Sequence, residues 1–163
     1  MPWHHVTPAL LDRIRAQYRL SWTGVHGLPH WERVAENGRR LAAITGADPV
    51  VVEYFAALHD SRRHNEYRDP EHGARAAEWI RELAASEPEL VPLTPSQRDR
   101  LVEACRDHTS GTATEDPTVG TCWDADRLDL LRVGIRPDPY YLVTEAARDP
   151  DVIAWAMERS LPA

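Results

Sequence analysis

The chain has 163 residues, 42% of them hydrophobic, and a formal net charge of −7. That length suits one domain, since domains run at roughly 100–200 residues, and the apolar content is too high for a disordered chain. An acidic balance gives no global electrostatic reason to seek nucleic acid or an anionic membrane, and no apolar run approaches the roughly 18 residues of a membrane span.

The opening stretch MPWHHVTPALLDR has no basic start before an apolar run, so no signal peptide is expected and the protein reads as cytoplasmic. Cys105 and Cys122 support neither a disulfide framework nor a thiolate zinc site. All 19 basic residues are arginine. A phosphate or carboxylate held by a side-chain cation is therefore held by arginine, or else by a metal.

Seven times a capping residue is followed by proline: Thr7-Pro8, Asp48-Pro49, Asp69-Pro70, Thr94-Pro95, Asp116-Pro117, Asp138-Pro139 and Asp149-Pro150. Thr or Asp at the N-cap accepts orphan backbone N–H groups, and proline fits the first helical position without losing a needed donor. Helix-period apolar residues follow most of these pairs. The predicted helices are 8–20, 29–45 (ending at Gly46), 49–60, 70–85, 95–108, 121–132 and 139–158, the last interrupted at Asp149-Pro150. Thr94 and Gln97 have capping-box spacing. Ser86–Leu93 and Thr109–Gly120 read as loops, and the second is suited to cover a site. With no strand-like alternation, the fold class is all-α, a single helical bundle of about seven helices over residues 1–163.

Possible metal ligands recur in chain order: His30, His59-Asp60, His72, His108 and Asp126. His30 and His72 fall in first helical turns, while His59, Asp60 and His108 fall at helix ends. Imidazole and carboxylate together suit a divalent transition metal such as Fe, Mn, Zn, Ni or Co. A histidine at a helix end also fits plain capping, and an adjacent His-Asp pair is a common dipeptide. It is the local contexts that favour ligation.

Those contexts are HGLPHWERVAENGRRLA at 26–42, AALHDSRR at 56–63, DPEHGARAAEWI at 69–80, CRDHTSG at 105–111 and DADRLDLLR at 124–132. Together they resemble the HD-domain superfamily of metal-dependent phosphohydrolases. The resemblance runs from about residue 26 to 136, leaving 137–163 as a C-terminal helical extension. It implies an HD-like bundle with metal ligands His30, His59, Asp60 and Asp126, Asp124 being the competing choice for the last. His72 and His108 match positions that hold a second metal in some branches, with Asp60 bridging, so one or two ions are implied.

The resemblance also implies a hydrolase acting on a small phosphomonoester or nucleotide. The metal acidifies water and polarises the phosphoryl oxygen, with Asp60 orienting or deprotonating the water. Arg63 and His64 are further catalytic candidates, a histidine being suited to protonating a leaving group. Arg33, Arg75, Arg127 and His26 are candidates for substrate binding. No nucleic-acid or membrane partner is expected, and oligomeric state is not written in the chain. Two other classes stay open. The ligand order also resembles di-iron oxygenases of the same fold, although the spacings from His59 to His72 and from His108 to Asp126 are short for them. A non-catalytic domain binding a metal or ligand is the third.

Overall fold

Helix α3, Pro49–Leu58, runs through the middle of the molecule and is buried from Val51 to Leu58. Its sequence PVVVEYFAAL is apolar nearly all round, the pattern of a helix enclosed on every side. The single acid in it, Glu53, is satisfied by the N-terminal segment: His4, His5 and Val6 donate three successive backbone N–H groups to its Oε1 at 2.7, 2.6 and 2.8 Å. The two N-terminal histidines are thus tied to the core, not left in a tail.

The computed structural model describes residues 2–161. Around α3 stand α1 (Pro8–Gln17), α2 (Leu28–Thr45), α4 (His72–Ser86), α5 (Pro95–Asp107) and α6 (Pro117–Arg127). Helices α7 (Glu145–Arg148) and α8 (Pro150–Ser160) complete an all-helical architecture, with short 3₁₀ turns at Pro88–Leu90, Leu130–Val133 and Pro139–Tyr141. No strand occurs among the described residues, nor any helix long and apolar enough to cross a membrane.

Helices α2, α5 and α6 pack directly on α3, and α4 packs on α5. One apolar cluster joins α1 to α6, with Trp31, Phe55, Ile80 and Leu101 fully buried in it. A smaller cluster docks α7 and α8 on Leu41 of α2 and on Leu128, just after α6. Two glycines set the spacing. A Cβ on Gly38 would stand 2.2 Å from Val52 Cγ1, and one on Gly73 would stand 2.5 Å from the Cys105 carbonyl oxygen. Their absence lets α2 close on α3, and α4 on the end of α5.

Capping chemistry explains the helix starts. Thr7, Asp48, Thr94, Asp116 and Asp149 each accept backbone N–H groups of the helix they open, and the Thr94–Gln97 box is closed in both directions. Gly46 ends α2 in the left-handed conformation at φ 78°. The departures have local causes. Asp69-Pro70 opens no helix, because the Asp69 carboxylate is taken by the His64 N–H and by Arg75, so α4 starts at His72. Helix α6 starts at Pro117 and not at 121, because Asp116 caps Thr118 and Val119. The segment expected as one interrupted helix over 139–158 is a 3₁₀ turn followed by α7 and α8, giving eight α-helices among the described residues where about seven were expected.

Candidate metal centre

Helix ends converge on Asp60. Helix α3 stops at Leu58, so the carbonyls of its last turn have bonding capacity to spare. His59, the C-cap, turns its Nδ1 to two of them, Phe55 O and Ala56 O, both at 3.1 Å. His108, the C-cap of α5, does the same with Cys105 O at 2.7 Å. At the start of α4, His72 Nδ1 meets Asp69 O at 2.5 Å. His30 Nδ1, in the first turn of α2, meets the Asp129 carboxylate at 2.6 Å. Capping and ligation are therefore one geometry here. An oxygen acceptor obliges each Nδ1 to carry the proton, which leaves a lone pair on each Nε2.

Those four lone pairs face inward in two pairs. His30 Nε2 and His59 Nε2 are 3.1 Å apart, and His72 Nε2 and His108 Nε2 are 2.9 Å apart. Asp60 divides its oxygens between them. Its Oδ2 lies 3.6 Å from His30 Nε2 and 3.5 Å from His59 Nε2. Its Oδ1 lies 3.1 Å from His72 Nε2 and 3.7 Å from His108 Nε2. Asp126 Oδ1 adds a further oxygen to the first pair, 3.1 Å from His30 Nε2 and 3.5 Å from His59 Nε2. Ligand bonds of about 2.0–2.2 Å imply donor–donor edges of roughly 3.0–3.6 Å, the spacing of this cluster. Two buried groups that could hold a metal result: His30, His59 and Asp60, and Asp60, His72 and His108.

Lone pairs and carboxylates in such proximity repel unless a cation stands among them, either an added proton or a metal ion. The protein's own groups show the tension. Burial opposes charge on Asp60, but the charge of His59 and contacts with His108, His26 and His72 outweigh it and hold the carboxyl well below its ordinary range. Burial opposes charge on Asp126 too, and His59 and His30 hold that carboxyl low. At His59 burial lowers the imidazole, yet Asp60 and Asp126 prevail and raise it. At His108 burial prevails and the imidazole is lowered. Phe55 stacks on His59, with centroids 4.8 Å apart, and meets His108 edge to face, giving both halves an apolar backing.

A cleft of about 1160 Å³ opens over the cluster and reaches Asp60, His72, His108 and Asp126. His26 and Arg63 line it. His26 Nε2 meets Glu66 O at 3.0 Å, and its Nδ1 lies 3.5 Å from Asp60 Oδ2 with no closer hydrogen-bond partner. Arg63 Nε is buried, also without a partner, and 3.7 Å from Asp60 Oδ1. Arg127 lines the cleft, but its guanidinium binds the carbonyls of His108, Gly111 and Tyr141. Arg33, Arg75 and His64 do not line it. Arg33 goes to Asp129, Arg75 to Asp69, and His64 is exposed.

Asp124 and Asp126 separate cleanly. The Asp124 carboxylate accepts Val143 N–H at 2.8 Å, Thr144 N–H at 2.7 Å and the Thr144 hydroxyl, so it fastens the start of α7 instead of facing the histidines. Asp129 is a residue behind the histidine cluster that sequence reasoning missed. Besides His30 it binds Arg33 Nε at 2.7 Å and the Ser160 hydroxyl. Its one signal was an acid three residues after Asp126. Both cysteines are buried, and burial pushes their thiols up, away from the thiolate form a metal takes. No protein-family model, curated protein or solved structure matches the chain.

Proposed function

We propose that the chain is a metal-dependent phosphohydrolase of the HD-domain type, acting on a phosphomonoester through two divalent transition-metal ions that share Asp60. The observation that carries this is the division of the Asp60 oxygens between two inward-facing histidine pairs at the floor of an open cleft. His30, His59 and Asp126 would hold one ion with Asp60, and His72 and His108 the other. When bound, such ions supply Lewis acidity toward water and toward a phosphoryl oxygen.

The chain's own groups supply the rest. The four outward Nδ1–H bonds fix each imidazole in one orientation, and outer partners of this kind tune the ligands they hold. Arg63 keeps an unpaired Nε–H beside Asp60, placed to neutralise a non-bridging phosphate oxygen. His26, held by Glu66 O, turns its Nδ1 toward Asp60 in the cleft, where an imidazole can exchange a proton. The nitrogen-rich donor set also suits an iron pair, which favours a second reading as an oxygenase of the same fold. Oxygen consumption by the iron-loaded chain separates the two. A panel of phosphate esters assayed with Mn, Co, Ni, Fe and Zn tests the hydrolase. Turnover with at least one pair is expected, and none in any combination would overturn it.

A further inference from the structure

The cleft is larger than a phosphate requires. Pockets of roughly 300–1,000 Å³ bury ligands of drug size, and this one is about 1160 Å³. Its inner end is polar, at Asp60, His26, Arg63 and Asp126. Its outer end is open and mixed, with Arg136 and Asp138 standing among four large apolar side chains. Val133, Ile135, Tyr140 and Tyr141 line it, at 42%, 54%, 83% and 66% exposure. These four are half of the eight large apolar side chains exposed among the described residues, so they form a patch and not a scatter.

The patch is held in place. Asp138 Oδ1 accepts Tyr140 N–H at 2.9 Å, and Arg127 donates to Tyr141 O at 3.0 Å. Asp124 fastens Val143 and Thr144 just beyond. Arg127 and Asp124 flank Asp126 in sequence, so α6 positions both a candidate metal ligand and the cleft's outer rim. The two tyrosine rings meet at 89° with centroids 5.0 Å apart, presenting a face and an edge at a right angle. A planar ring stacking on that face would cover apolar surface now open to water.

We propose that the substrate is a phosphomonoester whose alcohol half carries a planar aromatic ring, which Tyr140 and Tyr141 hold while the phosphate sits at the inner end. This rests on the phosphohydrolase reading above. In the hydrolysis a water oxygen forms a bond to phosphorus, the bond from phosphorus to the ester oxygen breaks, and that oxygen leaves with a proton. No oxidant or reductant is needed.

The test is calorimetric binding of benzylphosphonate, methylphosphonate and inorganic phosphate to the full chain loaded with Mn²⁺. Benzylphosphonate is expected to bind at least about tenfold tighter than methylphosphonate, the order set by covering one ring face. In a Tyr140→Ser, Tyr141→Ser variant the preference is expected to fall to within about twofold, and in Tyr140→Phe, Tyr141→Phe to persist. Both side chains are exposed, and circular dichroism checks the fold of each variant. Equal affinities in the parent, or a preference that survives the serines, would overturn the aromatic subsite while leaving phosphate binding intact. Failure of all three probes to bind would sink the phosphohydrolase reading and this inference with it.

Discussion

His30 and Asp129 lie 99 residues apart in sequence, yet His30 Nδ1 donates to Asp129 Oδ2 at 2.6 Å inside the protein. The pair fixes the tautomer of a candidate ligand from behind. Asp129→Ala is expected to weaken metal binding by about 10–100-fold, the usual effect of losing such a partner. A chelator-competition titration measures it. Arg33→Ala combined with Ser160→Ala removes two of the other Asp129 contacts, leaves Arg132 beside it and keeps the His30 bond, and is expected to lower the melting temperature without that loss of affinity.

Gly73 lets α4 touch the end of α5, where His72 and His108 meet. Gly73→Ala places a Cβ 2.5 Å from Cys105 O, so the helices must part. Overpacking of this kind costs about 1–3 kcal/mol. Denaturant unfolding is expected to show that loss, and metal analysis to show depletion of the His72–His108 half first.

Arg63→Met keeps much of the side-chain volume and removes the guanidinium beside Asp60. A fall of about 10²-fold in kcat/KM for phosphoester hydrolysis is expected, the scale of losing one stabilising donor in a site. Metal content measured on the same preparation distinguishes lost phosphate binding from a lost ion.

Asp69 gives a pH signature. Burial raises its carboxyl, but the Arg75 hydrogen bonds and the His64 N–H outweigh burial and hold it below its ordinary 3.8. A carboxyl lowered on folding contributes stability that is present above the unfolded pKa and lost as pH falls through the folded one. The advantage of the parent over Asp69→Asn in urea midpoint, both in chelator, is expected to be full above about pH 4 and to shrink below it.

Several of these features were legible in the residues alone. Thr7, Asp48 and Thr94 announced helix starts because a capping oxygen and a following proline act locally. The ligand candidates His59 and His108 were visible as helix-end residues, and helix ends are where free carbonyls orient an imidazole. Arg33 and Arg75 were harder. An arginine near a ligand in sequence goes to the nearest buried carboxylate in space, here Asp129 and Asp69, and that depends on the fold. Tyr140 and Tyr141 sit in a segment that read as helix, and their place on the rim comes from anchors on α6 that no local pattern discloses.

Whether Asp60 bridges two ions is tested most directly by the metal content of the full chain, loaded with Mn²⁺ and desalted to remove free ion. Two ions per chain are expected, falling to one in the His72→Ala, His108→Ala variant while His30, His59 and Asp126 keep theirs. One ion per chain that persists unchanged in that variant would contradict the shared Asp60 centre, as would a parent chain that retains none.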